Sequence, residues 1–111
     1  TYLKGGSSRQ IADAAALALK SLLGLVCDPV AGLVEVPCVK RNVIGAVNAI
    51  TSSDMVIAGI ESRIPADEVI DAMGEVGSLL PCSLKETSQA GLATTPTGLK
   101  VTERMAGNGF D

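Results

Sequence analysis

With 111 residues the chain has material for one modest core, and 47% of it is apolar while only 2% is aromatic. Ala, Val, Leu, Ile and Met must therefore fill the interior, which suits closely packed helices better than a sheet sandwich. A net charge of −3 with scattered Lys and Arg speaks against nucleic-acid binding, and the lack of His excludes an internal Ser-His-Asp triad, Cys-His pair or histidine-ligated zinc.

A start at Thr1 rather than Met is what a segment of a longer protein would show. Residues 1–6 read as a connecting loop. Ser7 with Gln10 three residues on matches a capping box, with Ser8 as a competing cap. Ile11, Ala15, Ala18 and Leu22 then form one stripe, with Leu19, Leu23 and Val26 beside it, and predict a helix over 8–24. The run from Ile11 to Val26 is the most apolar, but it carries Asp13 and Lys20 and is shorter than the roughly 20 residues that span a bilayer. No membrane partner is expected. No basic segment precedes this run, so no signal peptide is read there.

Asp28-Pro29, Gly32 and Pro37 break the helical pattern, and Leu33-Val34-Glu35-Val36 permits a brief extended piece. A second helix is predicted over 41–60. Val43, Ile50 and Ile57 recur on one face, while Ile44, Val47, Met55 and Ala58 cover others, which marks a central helix packed on several sides. Asn42, Asn48 and Asp54 on this helix either bond to a neighbouring loop or line a site. Pro65, Asp67 and Glu68 signal the start of a third helix over 65–80, with Val69, Met73, Val76 and Leu80 as its stripe and Pro81 as its stop. Residues 94–98 read as a loop, followed by a short helix near 99–106. The expected fold is all-α: one helical domain over 1–111 with three main helices, a Pro/Gly-containing cysteine loop and an irregular C-terminal segment.

The chain has three cysteines, and Cys27 and Cys38 bracket ten residues that include two acids, two prolines and a glycine. An odd cysteine count without secretory features points to a reducing compartment, which disfavours a disulfide and agrees with a cytoplasmic location. Cys27, Cys38 and Cys82 could be small buried hydrophobes, since free cysteine is among the most buried residue types. The sharper reading is that they are thiolate ligands, because Pro- and Gly-bearing loops suit iron–sulfur centres, but ten intervening residues is not one of the usual ligand spacings, so spacing alone is a weak signal for it. Spacing alone leaves both readings open. Glu35 with Lys40 or Arg41, and Lys85 with Glu86, read as solvated charges.

The string from Gly24 to Asn42, GLVCDPVAGLVEVPCVKRN, resembles the iron–sulfur-dependent L-serine dehydratases, in the C-terminal part of their alpha domain or alpha subunit. The block Lys85-Glu86-Thr87-Ser88-Gln89-Ala90-Gly91-Leu92-Ala93 is similar to that family's ETS-x-G-G-L-A segment, with Ala90 in place of a glycine often found there. The stretch from Ser62 to Met73 fits the same region of two-subunit members. This resemblance implies deamination of L-serine to pyruvate and ammonia without pyridoxal phosphate, in amino-acid catabolism feeding gluconeogenesis. It implies a 4Fe-4S cluster held by three cysteines, with Cys27 and Cys38 at two of the ligand positions. The third is expected upstream, in a Gly-Cys-Gln-Gly-like segment absent from this sequence, and Cys82 is expected to be a structural thiol instead. The open iron would act as a Lewis acid on the serine hydroxyl. The base that takes the α-proton is expected outside this chain. Expected partners are L-serine, the remainder of the alpha chain, and a beta subunit or domain in a homo- or hetero-oligomer. A cysteine desulfidase, a threonine-preferring dehydratase, and a catalytically silent module lacking the cluster are the alternatives.

Overall fold

The computed structural model describes residues 1–107, which form α1 (Ser8–Lys20), α2 (Cys38–Ile57), α3 (Ala66–Leu79) and α4 (Pro96–Gly107). No β-strand occurs among the described residues, so the fold is all-α. No helix described is long and apolar enough to cross a membrane. The described residues divide into two compact units, each drawn from two stretches: 1–25 with 43–79, and 26–42 with 80–107.

In the first unit Ser7 caps α1 as expected. Its hydroxyl accepts from the Gln10 amide at 3.2 Å, and the Gln10 side chain accepts from the Ser7 amide at 2.9 Å, so two otherwise unpaired helix-start donors are satisfied. The expected loop at the chain start contains a 3-10 turn, Tyr2–Lys4. α1 packs along α3. It buries Ala14 and Ala16, two positions about 200° apart around the helix at 100° per residue, so α1 is enclosed on two sides. The expected Ile11–Ala15 edge of its stripe is exposed instead. α3 follows its predicted stripe, with Val69 buried and Met73 and Val76 half-buried.

α2 is not packed on several sides as expected. α2 buries only Ser52 and Val56, and Val43, Val47 and Ile50 are 47%, 57% and 62% exposed. Within this unit α2 is tied to α1 by polar bonds rather than by a broad apolar face. The Gln10 side-chain Nε2 donates to the Val56 carbonyl at 3.1 Å, and the Asn48 side-chain Nδ2 donates to the Ala18 carbonyl at 2.8 Å. Asn48 therefore bonds to a helix rather than to a loop, and Asp54 forms an exposed ion pair with Lys4.

In the second unit two expectations at helix starts are corrected. α2 begins at Cys38, not 41, because Pro37 stands just before the helix, where its missing N–H costs nothing, and its carbonyl takes the Arg41 amide at 3.1 Å. The segment 95–98 is not a loop but the start of α4. The Thr95 hydroxyl accepts from the Gly98 amide at 3.1 Å and Pro96 occupies the first helical position. Gly98 is buried, and a Cβ there would lie 2.5 Å from the Leu92 carbonyl oxygen, so α4 can approach the preceding 3-10 turn, Gly91–Thr94, only through a glycine.

Candidate functional site

Cys27 sits at the start of the loop in an extended segment. Its amide donates to the Leu84 carbonyl at 2.9 Å and its carbonyl accepts from the Glu86 amide at 3.0 Å, a single bridge with the 84–86 segment. The loop then turns through a 3-10 segment, Val30–Gly32, and closes on itself where the Val30 amide donates to the Val36 carbonyl at 2.9 Å. The expected extended piece over 33–36 is mostly turn. Cys38 lies on the first turn of α2.

Asp28 organises the loop, where the sequence by itself shows only a helix break. It is 2% exposed, and its two carboxylate oxygens face different elements. Oδ1 accepts from the Arg41 guanidinium at 2.5 Å, and Oδ2 accepts from the Leu92 amide at 2.6 Å. The same Arg41 nitrogen donates to the Val26 carbonyl at 2.9 Å. Burial pushes the Asp28 carboxyl upward, but the Leu92 hydrogen bond, the Arg41 hydrogen bond and the guanidinium charge outweigh it and hold it below the ordinary aspartate value. Arg41 is thus not one of a pair of solvated charges with Glu35. No pattern of apolar spacing links residue 28 to 41 or 92, so only the fold reveals this contact.

The two blocks that carry the family resemblance therefore meet in one unit. Besides the Asp28–Leu92 bond, the Ser88 hydroxyl donates to the Pro29 carbonyl at 2.7 Å, and the Thr87 hydroxyl bonds back to the Ser83 carbonyl. Gly91 has φ +65°, and a Cβ on it would lie 2.8 Å from both Cβ and Cγ of Asp28. Glycine is needed there on two counts: left-handed backbone and close approach. Ala31 and Glu86 also adopt left-handed conformations, φ 56° and 59°, one in each block. Such non-glycine positions hold only when the surroundings over-determine them.

All three cysteines are free; Cys27 and Cys38 are half-buried. Cys82 is exposed on the 3-10 turn Cys82–Leu84, so it is not the buried packing thiol expected of it. Among the described residues no three Cys, Asp or Glu converge to hold a metal ion. The two expected ligands thus flank one clamped loop.

An all-α protein with two free thiols at the ends of a loop locked onto a second motif is the class this geometry defines. The chain belongs to the serine dehydratase alpha chain family, whose model matches residues 1–93. It is 61% identical over 93% of its length to the "Probable L-serine dehydratase, alpha chain" of Latilactobacillus sakei, of which it covers 49%. It is 59% identical over 95% of its length to the protein of the same description in Bacillus subtilis, covering 35% of it. It is 50% identical over 87% of its length to the "L-serine dehydratase, alpha chain" of Peptoniphilus asaccharolyticus, covering 33% of it. The chain therefore spans half or less of these relatives. No solved structure matches it.

Proposed function

We propose that this chain is the part of an L-serine dehydratase alpha chain that supplies two thiolates, from Cys27 and Cys38, to a 4Fe-4S cluster. The complete protein would convert L-serine to pyruvate and ammonia in the cytoplasm, together with the rest of the alpha chain and a beta subunit or domain. The observation that supports this best is the meeting of the cysteine loop with the Glu86–Ala93 block in a chain of this family. The donors fit in kind, since thiolates are what iron–sulfur clusters take, and a third is needed from elsewhere. Bound there, the cluster would supply a Lewis-acidic iron toward the serine hydroxyl.

This chain's own residues do the holding. The Leu84 and Glu86 backbone fixes the peptide at Cys27, Arg41 holds the Val26 carbonyl, and the first turn of α2 carries Cys38. With no histidine in the chain, the base for the α-proton is assigned to another part of the protein. In the complete protein, Cys27→Ser or Cys38→Ser should abolish the cluster's visible absorbance and nearly all pyruvate formation from L-serine, because a hard hydroxyl replaces a soft thiolate poorly. Full iron content and activity in both variants would overturn this reading.

A further inference from the structure

Asp28 is covalently adjacent to Cys27, and its partner Arg41 lies three residues beyond Cys38, one helical turn along α2. The buried ion pair thus joins the loop's two ends beside the two thiols. The other carboxylate oxygen carries the link to Leu92, 64 residues away. Around Cys27 the polar backbone is fully committed: the Val26 carbonyl to Arg41, the Cys27 amide to Leu84 and the Cys27 carbonyl to Glu86. A salt bridge serving stability alone has no need to bracket both cysteines or to split its oxygens between a guanidinium and a distant amide.

We propose that Asp28 is the positioning residue of the cysteine loop, presetting Cys27 and Cys38 as a pair by binding Arg41 with one oxygen and the Leu92 amide with the other. This rests on the reading that those two thiols are metal ligands. Partners outside the ligand shell orient ligands, and losing one typically weakens metal affinity about 10–100-fold. Gly91 is part of the same device, since any side chain there displaces the carboxylate.

The test uses the complete protein with Asp28→Asn, Arg41→Gln and Gly91→Ala. Gly91→Ala keeps the charge pair and disturbs it sterically from the opposite side, so it remains informative if Asp28→Asn fails to fold. Two quantities are read: the rate at which a chelator strips iron from the reconstituted protein, and the alkylation rate of Cys27 in the metal-free protein relative to exposed Cys82. Iron should be lost about 10–100-fold faster in each variant that keeps the native circular dichroism spectrum. Cys27 alkylation should rise toward that of Cys82. If the folded variants keep iron within twofold of wild type and leave Cys27 reactivity unchanged, while Cys27→Ser loses iron, the positioning role is overturned and the ligand reading stands. If Cys27→Ser itself retains iron, the ligand reading fails first.

Discussion

Asp28 keeps its charge at 2% exposure because the Leu92 amide and the Arg41 guanidinium each donate to one of its oxygens and the Arg41 charge lies beside it. Removing one member of a buried pair leaves the other uncompensated, so Asp28→Asn should cost the metal-free chain about 3 kcal/mol in urea denaturation, toward the low end because Arg41 is partly exposed. The carboxyl is lowered in the fold, so its stabilisation is present above the unfolded value near 3.9 and is lost as pH falls through the lowered folded value. The gap between wild type and Asp28→Asn should therefore be wide at pH 6 and close on acidification below about 4; a gap independent of pH would contradict the assignment. Cys82 behaves in the opposite way. Being exposed, Cys82→Ala should shift stability by no more than about 0.5 kcal/mol and leave any bound iron in place. The Ala90 departure from the family pattern also has a local explanation. Its φ of −155° is ordinary extended backbone that alanine adopts freely, whereas the next residue, Gly91, carries the left-handed conformation.

At the scale of elements, the two polar caps are directly testable. Ser7→Ala and Thr95→Ala should each cost about 1 kcal/mol, seen as lower denaturation midpoints, because each leaves a helix-start amide unpaired. The Ser7 cap and the α3 stripe were legible in the sequence because both are local: one is a three-residue spacing, the other a 3.6-residue period. The starts of α2 and α4 were misread for a common reason. From the sequence Pro37 reads as a break and Pro96 as part of a loop, although proline suits the first turn of a helix as well as the residue after its end. Thr95-Pro96 was the signal that could have found α4. How little of α2 is covered was not legible, since its pattern of Val43, Val47 and Ile50 shows what could be buried and not what is present to bury it. The cysteine loop was legible as a motif through its resemblance to a family. Its clamp was not, because Asp28, Arg41 and Leu92 are joined only by tertiary contact.

For the molecule as a whole, two expected outcomes follow from its cysteines and from the ligand sets that the described residues lack. The 111-residue chain alone should form no pyruvate from L-serine, because no three candidate ligands converge among the described residues and the chain has no histidine to act as base. A rate near that of the complete protein would refute this. After reduction and removal of reductant without air, thiol titration in denaturant should count three free thiols; a persistent crosslink between Cys27 and Cys38 would contradict the fold. The 64-residue separation between Asp28 and Leu92 also sets an order in time. At roughly 5–20 residues per second, a ribosome delivers Cys27 about 3–13 s before the amide that completes its clamp. During that interval the nascent loop has its thiols without the contact that orders them. The loop can therefore take its final, clamped shape only once translation has passed Leu92.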